Sequence, residues 1–169
     1  ARRSLSLNTQ VYGAGSEQEI ILTYANALMA ADRLRLETMG HAAGKDSCTS
    51  HVSVVDRKGN MVALTNTLLS RFGSKVMVPE LEILLNNGMM WFDPRRGRPN
   101  SIAPGEKPLA NMSPVIALRG KKPEIAVGAA GGRKIVPAVA QILSYLVDLN
   151  YSPEEAMHAP RIDTSSDPI

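Results

Sequence analysis

Apolar residues recur at helical spacing in two stretches of this chain. Ile21, Tyr24, Leu28, Ala31 and Leu34 fall three or four apart, which predicts one face of an amphipathic helix. Ser16-Glu17-Gln18-Glu19 precedes them, with Ser at the cap and an acid three residues on. That is a capping-box start, and Gly40 predicts an end near Met39. Ile135, Val139, Ile142, Leu143 and Leu146 predict a second helix, launched from Gly128-Ala129-Ala130-Gly131-Gly132. Ser152-Pro153-Glu154-Glu155 is another capping box, with Pro at the first helical position. It predicts a short helix that stops before Pro160.

Between the helices the pattern changes to short extended runs. His51 to Asp56 and Met61 to Thr67 read as strands joined by Arg57-Lys58-Gly59-Asn60, a hairpin with turn residues at its tip. Glu82 to Asn87 reads as a third short strand. Val115 to Leu118 and Glu124 to Val127 pair across Arg119-Gly120-Lys121-Lys122. Residues 1 to 14 are polar and turn-like, and His41 to Ser47 form a small-residue linker. Pro94, Gly97, Pro99, Pro104, Gly105 and Pro108 make the stretch from 93 to 108 an irregular loop. Helix, strand cluster, helix is an α+β order, with mainly antiparallel hairpins covered by helices.

A chain of 169 residues is long enough for one domain with a real core. Aromatics make up only 4%, so the core must rest on aliphatic side chains. No apolar run is long enough to span a bilayer. No signal peptide opens the chain, and Ala1 in place of Met sets the expectation that the start lies upstream; the compartment is left unassigned. The single cysteine, Cys48, excludes an internal disulfide. A net charge of +3 is mild. Arg95-Arg96-Gly97-Arg98 lies in the Pro/Gly loop without stacking aromatics, so it reads as a solvated loop first and an anion contact second. Nucleic acid is not an expected partner.

Five groups of residues are candidates for chemistry. Thr49 stands directly before the first strand. Cleavage of the Cys48–Thr49 bond would free an α-amine beside its hydroxyl, and an α-amine of pKa about 7.7–8.0 can act as base near neutrality. The alternative is a β-propensity threonine at a strand start. Gly131 and Gly132 let a backbone approach closely, and their N–H groups can bind an oxyanion. A tight strand-to-helix turn explains them equally well. Trp91 and Phe92, after Asn86-Asn87-Gly88, are core by default or line a pocket. Ser113 has no elbow motif. His41, His51 and His158 lack metal-ligand spacing, and His51 reads as a satisfied structural histidine.

Several motifs recur together in one order: Thr49-Ser50-His51-Val52-Ser53-Val54-Val55-Asp56, Gly59-Asn60, Thr65-Asn66-Thr67, Phe72-Gly73, Ile83-Leu84-Leu85-Asn86-Asn87, Pro108 through Asn111-Met112-Ser113-Pro114, Gly131-Gly132 and Ala159-Pro160-Arg161. In this the chain resembles the γ-glutamyltranspeptidase family of N-terminal-nucleophile hydrolases, from about residue 49 to 161. Residues 1–48 resemble the end of the family's large subunit, and 49–169 a small subunit that stops short of its C-terminus.

The resemblance implies part of a four-layer αββα sandwich that cleaves itself before Thr49. Thr49 would be the nucleophile, Thr67 would hydrogen-bond its hydroxyl or amine, and Gly131 and Gly132 would supply the oxyanion hole. It implies a small-molecule amide substrate, no metal or organic cofactor, and the remainder of a large subunit as partner; a homo-oligomer is compatible with it.

At the substrate-binding positions the chain departs from the transpeptidases. Leu69, Gly88, Trp91 and Ala110-Asn111 stand where they carry an Asn, a Gln, an acid and a Ser-Ser pair. This resembles the acylase-like members, which include cephalosporin acylases. The rival expectation is an inactive remnant that serves as a packing subunit. The isolated chain is expected to be inactive, or nearly so.

Overall fold

The computed structural model describes residues 17–39 and 48–164. The turn-like start, the cap at Ser16, the stop at Gly40 and the linker from His41 to Ser47 lie outside the described residues. The elements run α1 (Glu17–Met39), β1 (Thr49–Val55), β2 (Met61–Thr67), β3 (Met77–Val78), β4 (Ile83–Leu84), β5 (Val115–Arg119), β6 (Lys122–Val127), α2 (Ile135–Val147) and α3 (Pro153–His158). Among the described residues, no helix is long and apolar enough to cross a membrane.

The helices share one core. Tyr24 of α1, Tyr145 of α2 and Ala156 of α3 are buried together, with Ile20, Leu146, Leu149, Tyr151 and Ala159 packed around them. Tyr24 meets Tyr145 edge-on, their ring centres 6.5 Å apart, and Tyr145 stacks on Tyr151 at 5.6 Å. Both geometries suit the aromatic quadrupole. This corrects the expectation of a purely aliphatic core: aromatics are few, but three of the four tyrosines converge here.

The inward stripe of α1 differs from the expected one. It runs Ile20, Tyr24, Leu28 at strict four-residue steps, whereas Ile21 and Leu34 are exposed. Its C-terminal half turns Asp32 and Arg35 inward rather than Ala31 and Leu34. The α2 face holds as read at Ile135, Val139 and Ile142, with Gln141 buried beside them. Gln141 exchanges two hydrogen bonds with the Ile162 backbone, donating to its carbonyl at 2.8 Å and accepting from its N–H at 2.8 Å. A buried amide is thereby satisfied, and the segment after α3 is tied down. The capping box of α3 is present. Ser152 Oγ accepts from the Glu155 N–H at 3.2 Å, and the Glu155 carboxylate accepts from the Ser152 N–H at 2.8 Å.

The strands form three antiparallel pairs: β1 with β2, β3 with β4, and β5 with β6. The first begins two residues earlier than expected, at Thr49. Asp56 leaves the strand to build the turn, its carboxylate accepting from the Lys58 N–H, the Asn60 N–H and the Asn60 amide at 2.7 to 2.9 Å. These bonds, Asn60's first, lower the Asp56 pKa.

The expected strand from Glu82 to Asn87 shrinks to Ile83–Leu84, and its partner β3 carries no sequence signal. Glu82 takes a left-handed φ of 53°, which an extended strand cannot hold. Asn86 spends its side chain on a turn, accepting from the Gly88 N–H, and Asn87 spends its own on Ser70. The β5–β6 turn is tighter than read: only Gly120-Lys121 separate the strands, with Gly120 at φ 64°.

Candidate active site

Antiparallel register places Thr49 opposite Thr67, and His51 opposite Thr65. Because side chains alternate faces along a strand, all four share one face. On it the Thr49 hydroxyl donates to Thr67 Oγ1 at 3.1 Å. Thr67 Oγ1 also accepts from the Leu69 N–H at 2.9 Å and donates to the Cys48 carbonyl at 3.2 Å. One hydroxyl offers one donor and two acceptor sites, so Thr67 is saturated, and it is buried. The Cys48 carbonyl accepts a second bond, from the Leu68 N–H at 3.2 Å. The carbonyl of the Cys48–Thr49 peptide is thus held by two donors while the Thr49 hydroxyl lies beside it.

The segment after Thr67 is braced in turn. The Cys48 N–H donates to the Leu69 carbonyl at 3.0 Å, and Leu69 adopts a left-handed φ of 69°. Asn87 clamps this stretch: its Oδ1 accepts from the Ser70 N–H at 3.0 Å, its Nδ2 donates to Ser70 Oγ at 2.8 Å, and its N–H donates to the Leu68 carbonyl at 3.2 Å. The sequence reading quoted Asn87 in a motif but gave it no work. Its use in a clamp depends on a loop that folds back across 17 residues, and no local spacing announces that.

Gly131 and Gly132 have φ of 139° and 62°, so both need glycine. They lead through a 3-10 turn into α2. Neither N–H finds a hydrogen-bond partner among the described residues. The loop is attached to the Thr49 strand through His51. A Cβ on Gly128 would fall within 2.2 to 2.7 Å of the His51 ring, so that ring lies flat against the Gly128 backbone. His51 also contacts Thr65 Oγ1 at 2.7 Å and Ser53 Oγ at 3.0 Å, and Ser53 donates to the Ala126 carbonyl at 3.1 Å. It is satisfied, as read, but also bridges two hairpins.

The substrate-binding candidates divide. Leu69 adjoins Thr67 directly. Gly88 and Trp91 pack on each other: a Cβ at Gly88 would meet the indole at 3.1 Å, and Trp91 is buried. The buried Asn100 amide donates to the Trp91 carbonyl. The indole Nε1 has no partner among the described residues. Asn111 accepts from the Arg35 guanidinium of α1, a cation that the sequence reading missed. Burial lowers the Arg35 pKa; Asp32 opposes that, and Arg133 adds to it. In the basic loop, Arg95 is committed to Asp93 at 2.7 Å, which lowers the Asp93 pKa to about 2. A cavity of about 350 Å³ lies between α1, α2 and α3, lined by Ile20, Tyr145, Leu149 and Tyr151 among others. It shares no residue with the Thr49 cluster.

Known proteins resemble this chain over much of its length. The chain is 37% identical over 138 residues to the acylase ACY 1 proenzyme of Pseudomonas sp. (strain SE83), covering 82% of this chain and 25% of that protein. It is 37% identical over 118 residues to the glutathione hydrolase proenzyme of Bacillus subtilis (strain 168), covering 70% and 20%. It therefore spans about a quarter or less of these relatives' length. A highly active tryptophan-to-aspartate variant of gamma-glutamyltranspeptidase from Pseudomonas nitroreducens matches with a TM-score of 0.57 at 34% identity, over 67% of this chain and 63% of that one. The fold is α+β, part of the N-terminal-nucleophile hydrolase sandwich. The gamma-glutamyltranspeptidase family model matches residues 7–168, and the chain belongs to that family.

Proposed function

We propose that the protein containing this chain is an N-terminal-nucleophile amide hydrolase or acyltransferase that cleaves itself between Cys48 and Thr49. The observation that carries this is the hydroxyl relay from Thr49 through Thr67 to the Cys48 carbonyl. In processing, Thr49 Oγ1 attacks the Cys48 carbonyl carbon. Thr67 and the Leu68 N–H hold the developing oxyanion. Collapse breaks the C–N bond, moves the acyl group to Thr49 Oγ1 and passes the hydroxyl proton to the departing nitrogen, which becomes a free α-amine. Water then hydrolyses this ester and releases Cys48 as a carboxylate.

In turnover the freed amine takes the Thr49 hydroxyl proton as the oxygen attacks a substrate amide. Gly131 and Gly132 N–H groups bind the tetrahedral oxyanion. The amine leaves with the proton, and water or a second amine resolves the acyl-enzyme. The remainder of the family polypeptide completes the site. It covers the outer face of the β1–β2 hairpin, where Val52, Val54, Val62 and Leu64 are exposed.

The acyl group is one without an α-ammonium. Such a cation needs a fixed anionic partner when desolvated. Trp91 provides none, and Arg35 at Asn111 repels it. A simple acyl chain, or one ending in a carboxylate, suits these residues better. The Pseudomonas nitroreducens relative is highly active as a tryptophan-to-aspartate variant.

In the full-length protein, Thr49→Ala is expected to leave an uncut precursor without amidase activity. Wild-type enzyme is expected to favour a glutaryl or simple acyl anilide over a γ-glutamyl anilide. Trp91→Asp should shift that ratio toward the γ-glutamyl compound by about 10- to 100-fold, the worth of a charged hydrogen bond. An active Thr49→Ala enzyme would sink the nucleophile assignment, and a wild-type preference for γ-glutamyl would sink the acyl assignment.

A further inference from the structure

We infer that His51 is a positioning residue that sets the Gly131-Gly132 loop against the Thr49 strand, and that Gly128 is a glycine in order to receive its ring. The inference rests on the reading of Thr49 as nucleophile and goes beyond it. Among the described residues, no backbone ladder joins β1–β2 to β5–β6. Nucleophile and oxyanion loop thus stand on separate hairpins, and side chains must fix their relation.

The contacts hold the ring in place through both nitrogens. Ser53 spends its proton on the Ala126 carbonyl, so it can only accept from His51. That leaves a Ser53 lone pair facing Nε2 at 3.0 Å, where an Nε2 proton can be donated. On the other edge Nδ1 contacts the Thr65 hydroxyl at 2.7 Å. The ring is held on both edges, and its face presses on Gly128. The chain from Thr65 through His51 and Ser53 to Ala126 fixes β6 at Ala126. The ring fixes it again two residues on, at Gly128. Gly131 and Gly132 follow after only two more residues. Gly128 shows no left-handed φ, unlike Gly131 and Gly132, so space rather than backbone conformation demands glycine there. A shift of this β6 end moves the oxyanion donors relative to a nucleophile two residues from His51.

The test uses the processed, full-length enzyme, with single variants His51→Ala and Gly128→Ala and the double variant. Misplacing a catalytic group by about 1 Å can cost on the order of 100-fold. Each single variant is expected to lose about that in kcat, with KM changed only a few-fold. The double variant should be no slower than Gly128→Ala alone, because removing the ring relieves the clash. Ser53→Ala keeps the ring and covers the case where Gly128→Ala does not fold; losing its bond to Ala126 should lower kcat by up to about tenfold.

Strict additivity of the two single losses would overturn the proposal. So would a His51→Ala enzyme with lower thermal stability but wild-type kcat, which would make the histidine a packing residue. Thr49→Ala separates the two levels of inference. If it is inactive while His51→Ala is fully active, the nucleophile assignment stands and the His51 proposal falls. If it is active, the assignment itself is wrong.

Discussion

The two faces of the β1–β2 hairpin have opposite characters. Thr49, His51, Ser53, Thr65 and Thr67 alternate onto one face, where their polar groups bond to one another or to nearby backbone. Val52, Val54, Val62 and Leu64 alternate onto the other, each 51% to 58% exposed. They pair across the strands, Val52 with Leu64 and Val54 with Val62. A sheet normally buries its apolar face and wets its polar one. Here the polar face is the one turned toward β5–β6 and the glycine loop. The polar face is bonded within this chain, while the apolar face is left open to solvent. That difference accords with a chain spanning only 25% of the acylase proenzyme.

The comparison breaks most sharply at Thr67. Thr67→Val keeps the shape but removes the hydroxyl that serves Thr49, Leu69 and Cys48. Buried partners left without a bond are costly. Processing rate and kcat of the full-length protein should each fall by on the order of 100-fold or more, as when one oxyanion donor is lost. Time courses of precursor cleavage and acyl-anilide turnover measure both. A drop of less than about threefold would mean that the inward network is packing rather than chemistry.

The outward face sharpens the contrast through Leu64→Asp. In the isolated chain this side chain is largely in water, so stability should change by no more than about 0.5 kcal/mol. In the full-length protein the same change places a charge against apolar cover. It should cost about 3 kcal/mol or more, which denaturant melts of both forms would read. Equal effects in the two forms would show that nothing covers this face.

The smallest effect lies at the hairpin's far end. The Asp56 carboxyl has a lowered pKa because Asn60 and its neighbours bond the ionised form. Its contribution is fully present above the ordinary carboxylate value and is lost as pH falls through the lower folded value. Amide exchange at Lys58 and Asn60 should quicken only below that range, with β1 and β2 still protected. Uniform exchange across the turn at all pH values would remove Asp56 from the account.

Much of this arrangement was legible in the chain. Capping residues gave α3, helical spacing gave α2, and alternation gave the β1–β2 hairpin, because these depend on neighbours close in sequence. What stayed hidden depends on contacts across long separations. The Asn87 clamp, the Arg35–Asn111 bond and the His51–Gly128 contact each join segments that no period connects. The strand expected from Glu82 to Asn87 failed for a related reason: left-handed Glu82, the turn bond of Asn86 and the long-range bond of Asn87 override the apolar run between them. Thr49 and the two glycines were candidates from the residues themselves, but their roles, and Thr67 altogether, came from the family resemblance. Spacing alone favoured a strand-start threonine at Thr49 and left a tight turn and an anion site as equal alternatives at the glycines.

The central claim is that Thr49 becomes an N-terminus and acts as nucleophile. The intact mass of the purified full-length protein, with N-terminal sequencing, tests it most directly. The expected result is two polypeptides, the second beginning Thr49-Ser50-His51, and a single uncut chain for Thr49→Ala. A single uncut chain from the wild-type gene, with amidase activity intact, would contradict it.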